Sequence, residues 1–331
     1  MLDSRQYRFI IDLPAGLARD AQAMVGSGER YDSMSSLVAV ALANQMQLER
    51  SPAQGEGSDT SAANGWAEVY GSTHGDRWIA MPDSGPPALV PPLPAKGPLS
   101  SFTNRLAPLI APLRVLAALQ QGSSAPVPWA RLVDQGALTA RHVGLQIREE
   151  DEQAGRRGRR RRWTGWPVGA DQAASLARFR SHFIGRADRD PEESPLLALG
   201  LVGVHEKGIG LTPEGWQFVS CPTPILGETS DEQPLASEQR LILARALSRM
   251  PAEWSRIEVA LRALVENDGD PLSLEAAVAS QEPTWTEPMV ASFRSGIIGR
   301  MADAGLVTVE ADNGRAFPVH GDFSTEALVR S

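Results

Sequence analysis

Cys221 is the only cysteine, so no intrachain disulfide can form, and a reducing cytoplasm is the expected setting. Lysine is nearly absent. Of the 32 basic residues only Lys96 and Lys207 are lysines, so the positive charge is almost wholly guanidinium. No apolar run approaches the roughly 18 residues that a bilayer-spanning helix needs, which argues against membrane insertion. Residues 1–14 lack the basic start and long apolar stretch of a secretory signal, so no signal peptide is expected. Catalytic signatures are also missing. Lys96 and Lys207 lack the glycine spacing and following Ser/Thr of a phosphate-binding loop, and no G-x-S-x-G occurs. His74, His142, His182, His205 and His320 share no metal-ligand spacing with Cys221. These absences lead us to expect a protein that is not an enzyme and carries no metal or cofactor.

What is present is a charge contrast. The net charge is −8, but residues 102–220 hold 16 basic and 12 acidic residues, for +4. Residues 1–101 sum to −4 and residues 221–331 to −8, so the middle is the one segment suited to phosphate. Within it, residues 154–167 read AGRRGRRRRWTGWP, with six arginines (Arg156, Arg157, Arg159, Arg160, Arg161 and Arg162) and two tryptophans.

Low-order stretches divide the chain. Residues 51–65 are small and polar, and residues 82–100 hold seven prolines, so 51–101 reads as a linker. Residues 221–235 form a second break. The remaining modules are 5–50, 102–220 and 236–323.

The first module begins with the alternating strand YRFIIDLP, ended by Pro14. A helix closed by Gly26 and Gly28 follows, then a second helix opening at Asp32 and Ser33 with Leu37, Val38, Ala41 and Leu42 on one face. About 45 residues of this kind cannot bury a core alone, so a partner is required. The strand ending DLP, the helix–Gly turn and YDSMSSLVAVAL resemble the ribbon-helix-helix family of DNA-binding proteins. The resemblance implies a homodimer whose paired strands form a ribbon. It implies that Arg8 and Ile10 face outward toward DNA and that Ser33, Ser35 and Ser36 hold a phosphate at a helix N-terminus. Asp12 also faces outward and would repel phosphate, so dimerisation without base reading stays open.

The other two modules contain a repeat. Phe179-Arg180-Ser181-His182-Phe183-Ile184-Gly185-Arg186 recurs as Phe293-Arg294-Ser295-Gly296-Ile297-Ile298-Gly299-Arg300, with six of eight positions identical. Downstream, ALGLVGV at 198–204 matches DAGLVTV at 303–309, with about nine extra polar residues in the first copy, as in a loop insertion. Phe179 and Phe183, four apart, should face the core, and the two repeat glycines should close their helices. Helices are expected over 103–121 and 129–148 before the first copy, and over 237–250, 253–266 and 272–280 before the second.

The stretch LLALGLVGVHEKGIGLTPEGWQF, with its turn at Glu206-Lys207-Gly208, resembles the winged-helix family, as does MADAGLVTVEADNGRAFPV. The expected fold class is therefore mainly α with small β ribbons and wings: an N-terminal ribbon-helix-helix followed by two winged-helix domains. The resemblance implies a recognition helix over 171–186 presenting Arg178, Arg180 and Ser181, with Lys207 in the wing. The arginine block falls just before that helix, in an expected insertion over 149–170. Six clustered guanidiniums cannot all be buried and suit a phosphate-tracking arm, with a salt slope approaching roughly −5 if all six neutralise phosphates. Trp163 and Trp166 are expected to anchor the base of the loop, with base stacking the alternative.

These features point to a dimeric DNA-binding protein, such as a regulator, a plasmid maintenance factor or a recognition subunit of a defence system. The alternative is an architectural adaptor whose winged helices, above all the acidic C-terminal one, contact protein.

Overall fold

The structure is a computed structural model that describes residues 97–319, apart from 101, 122–125, 187–193, 207, 230–232 and 282–283. The expected ribbon-helix-helix segment, with Arg8, Ile10, Ser33, Ser35 and Ser36, lies outside the described residues, as do the linker up to residue 96 and Lys207. What is described is mainly helical, with two small two-stranded antiparallel sheets. No described helix is long and apolar enough to cross a membrane.

A 3₁₀ turn at Ala107–Leu109 leads into α1 (Ile110–Gln121). Ile110, Ala111, Leu113, Val115 and Leu116 are all fully buried, so α1 is apolar on nearly every side and forms the centre of the first half. α2 (Trp129–Gln153) is amphipathic: Leu132, Gly136, Ala140, Val143 and Ile147, spaced three or four apart, are buried. α3 (Gln172–Phe179) starts at Asp171, whose carboxylate accepts the Ala174 N–H at 3.0 Å, and runs into one wider π-type turn, Arg180–Ile184. After α4 (Pro195–Ala198) the chain forms the hairpin β1 (Val202–His205) and β2 (Gly208–Leu211), with His205 opposite Gly208. Val127 pairs with Ile209 from the other edge, exchanging both backbone bonds at 3.0 and 2.9 Å. α5 (Pro213–Val219) closes this half, its first turn capped by Thr212.

The second half comprises α6 (Ser237–Ser248), α7 (Pro251–Glu266), α8 (Pro271–Gln281), α9 (Glu287–Asp303) and the hairpin β3 (Val307–Val309) with β4 (Ala316–Pro318). The Gly269 carbonyl accepts the Ala316 N–H at 2.9 Å, the counterpart of the Val127 bridge. Both halves therefore follow one order: helix, bridging residue, helix, helix, hairpin. In the first half these are α1, Val127, α2, α3 with α4, and β1–β2. In the second they are α7, Gly269, α8, α9 and β3–β4.

The repeat sits at the same place in each half but is used differently. Phe179 and Phe183 are buried and stacked, with ring centroids 4.8 Å apart, as their spacing requires. Gly185 ends its helix at φ 130°, a conformation that other residues rarely adopt. Gly299 does not close a helix, contrary to expectation. It lies inside α9, where the backbone of Asn104 crosses so closely that a Cβ would stand 2.0 Å from the Asn104 carbonyl oxygen. The segment 221–235, read as a linker, is packed: Thr223, Ile225, Leu226 and Leu235 are buried.

That crossing locks the two halves together. Asp303, fully buried at the end of α9, accepts the N–H groups of Leu106 and Ala107 at 2.6 and 2.9 Å and so caps the 3₁₀ turn that opens the first half. The Arg105 guanidinium donates to the same carboxylate at 2.5 Å. One turn earlier, fully buried Arg300 donates to fully buried Glu253 at 2.8 Å and to the carbonyls of Ser100 and Thr103 at 3.2 and 2.9 Å. Glu253 completes the set by accepting the Leu99 N–H at 3.1 Å. Burial pushes the Arg300 guanidinium below its ordinary value, and the Glu253 carboxylate works against that. Removing one partner leaves the other charged and unpaired in the interior. Glu253→Leu should therefore cost roughly 3–5 kcal/mol in chemical denaturation, and adding Arg300→Met should recover part of that loss.

Candidate nucleic-acid interface

The arginine block is shaped by a carboxylate that lay hidden in an acidic run. α2 does not stop at residue 148, so Glu149 to Gln153 are helical and the non-helical connection begins at Ala154 rather than at 149. This places Asp151 on the inner face of the last turn, fully buried. Its Oδ2 accepts the Arg162 N–H at 2.5 Å and its Oδ1 accepts Arg162 Nε at 2.8 Å and Arg156 at 3.3 Å. The second guanidinium edge of Arg162 binds Glu150 at 2.7 Å. The loop is thus a closed turn wound around one carboxylate, with Arg162 as part of its frame.

From Arg162 the chain folds back along α2. Trp166 is buried over Gly144, where a Cβ would lie 2.7 Å from the Trp166 side chain. Arg141 donates to the carbonyls of Pro167 and Gly169 at 2.8 and 3.0 Å, and fixes the returning segment to the helix. Trp166 therefore anchors the loop base. Trp163 stays half-exposed, with the guanidiniums of Arg148 and Arg161 at 5.9 and 5.2 Å from its ring centroid. Arg156, Arg157, Arg160 and Arg161 project into solvent. Arg160 reaches across to Asp312 at 2.5 Å, in the turn between β3 and β4, with both side chains largely exposed. Such a pair contributes little to stability and yields readily to a competing anion.

The returning segment ends at Asp171, so the loop passes directly into α3. There Arg178 and Ser181 are exposed. Arg180 is only partly so: it pairs with Asp134 of α2 at 3.1 Å. Its repeat counterpart Arg294 pairs with Glu275 of α8 at 2.7 Å. The shared arginine is therefore an inter-helix tie in both halves, which accounts for its recurrence. His182 is half-buried, with the exposed Phe102 ring 4.8 Å from its own and its backbone carbonyl accepting the Thr103 hydroxyl at 2.6 Å. Burial, reinforced by the Arg178 cation, pushes its imidazole below the ordinary value.

The candidate interface thus joins four projecting loop arginines, Arg178 and Ser181 on one continuous stretch, while Arg162 and Arg180 also tie to carboxylates of the scaffold. Of the residues that hold it, Trp166 was expected from the sequence, whereas Asp151, Arg141 and Gly144 come from an acidic run and a helix face where only tertiary contact distinguishes them.

Loss of the central carboxylate should free the loop. Asp151→Ala is expected to raise the rate of tryptic cleavage within 156–162 at least roughly fivefold, the consequence of losing a buried, charged hydrogen-bond acceptor. His182 gives a pH signature. The unfolded chain binds its proton more tightly than the folded one, so this contribution to stability is complete above about pH 6.5 and is lost as pH falls below it. His182→Gln should flatten the acid side of a stability-against-pH curve, measured by urea unfolding.

No family model, curated protein or solved structure matches the chain.

Proposed function

We propose that the chain is a DNA-binding protein, dimeric through its N-terminal module, that grips phosphates with the 156–161 arginines beside α3. The observation that carries this reading is the continuity of loop and helix. A closed arginine turn is seated on a packed base and runs straight into a helix with exposed Arg178 and Ser181. The order of helix, bridging residue, helix, helix and hairpin in both halves supports a winged-helix reading for each, with α3 as the reading helix of the basic one. The role is binding rather than catalysis.

A second reading, an adaptor that binds protein, is favoured by one observation. Arg160 is already engaged by Asp312, so acidic protein surfaces are natural ligands for this loop.

Salt titration separates the two. Each neutralised phosphate contributes about −0.9 to the slope of log K against log salt on duplex DNA. With Arg162 committed to Asp151 and Glu150, the other five arginines account for at most about −4.5. Replacing Arg156, Arg157, Arg159, Arg160 and Arg161 by alanine should remove most of the slope for duplex DNA. Binding that is absent or independent of salt would contradict the DNA reading and leave the adaptor.

A further inference from the structure

α2 is 25 residues long and packs on one side only. Its outer side carries Leu138 and Leu145, 44% and 40% exposed and one heptad apart. Exposed Arg131 lies one heptad before this pair, and exposed Glu152 one heptad after it. The row is therefore complementary to itself when reversed. Turned end for end about the point between Arg141 and His142, Leu138 meets Leu145 and Arg131 meets Glu152. We propose that α2 pairs antiparallel with α2 of a second copy of this chain along this row.

The chemistry selects both the partner and the direction. A heptad-spaced apolar pair flanked by opposite charges is the pattern of a two-helix seam, and a dyad makes each contact occur twice. Parallel pairing would set Arg131 on Arg131 and Glu152 on Glu152. Arg131 has no ion pair among the described residues. Glu152 holds Arg148 at 2.7 Å, an exposed pair that competes weakly with a new one. One facing pair, Asp134 with Glu149, is acidic on both sides. Asp134 is offset by Arg180 at 3.1 Å, and Glu149 accepts Gln153 Nε2 at 3.3 Å. This surface is independent of the nucleic-acid reading, and pairing through the N-terminal module neither requires nor supplies it.

Cysteine cross-linking in the full-length chain tests the register directly. Cys221 is buried and its thiol is pushed up to about 11 by burial and by Glu238, so it stays silent and the unmodified chain is the blank. At about 1.5 Å rise per residue, position 142 lies about 1.5 Å along the axis from its mate, while position 138 lies about 10.5 Å from its own. His142→Cys should cross-link to itself under mild oxidation. Leu138→Cys and Leu145→Cys should each do so poorly alone but readily when mixed. Adding Arg131→Glu to His142→Cys should lower the yield roughly three- to tenfold, and adding Glu152→Arg to that variant should restore it. No self-link at 142 overturns the proposal, as do equal self-links at 138 and 142, which would indicate parallel or random collision. All these side chains are exposed on a helix face, and unchanged far-UV circular dichroism verifies that each variant is folded.

Discussion

The organisation of the described residues depends on two carboxylates and a guanidinium where the segment before α1 crosses α9. Asp303 caps a helical turn that lies almost 200 residues earlier in the chain, and Glu253 with Arg300 fastens the segment before it. Buried charges of this kind hold only with good geometry and additional hydrogen bonds. Here backbone N–H and carbonyl groups of residues 99–107 supply those bonds to both carboxylates and to Arg300, whose Nη2 alone in this set has no partner, so the polar set favours one crossing geometry. Gly299 permits the approach, because any side chain there would displace the Asn104 backbone. The Arg160–Asp312 contact between the arginine loop and the second hairpin is then a consequence of halves already held in place.

This ordering explains how an acidic chain presents a basic feature. Six arginines in the seven residues 156–162 would repel one another in an extended arm. Asp151, taken out of solvent at the end of α2, draws Arg162 and the loop backbone inward, and Glu150 takes the other side of the same guanidinium. What projects is a smaller, fixed set of charges. A preorganised set loses less conformational freedom on binding than a mobile arm does. In the proposed function the loop is therefore closer to a positioned clamp than to a tail.

Much of the helical architecture was legible in the sequence. Periodic apolar spacing located α1, α2, α6, α7 and α8, and the recurrence at 179–186 and 293–300 located equivalent helices. Both hairpins fell where they were expected, with Gly314 in the second turn at φ 74° and Gly208 opening the strand that Val127 approaches. The uses of the repeat residues were not legible. Arg180 was expected as an exposed reader, yet it and its repeat counterpart Arg294 each tie to an acid on the preceding helix. Gly185 and Gly299 occupy the same repeat position, but one ends a helix and the other admits a crossing chain. Asp151 was indistinguishable from Glu149, Glu150 and Glu152, because only the continuation of α2 decides which of the four faces inward. Those roles arise from contacts between segments distant in sequence, which local pattern does not encode.

The Asp303 and Arg300 contacts make the two halves one unit. Hydrogen exchange followed by mass spectrometry tests this most directly. The slowest amides of α1 and of α9 should share a single opening free energy, and Asp303→Asn should lower both together. Separate opening free energies, or a change confined to α9 in the variant, would contradict the account.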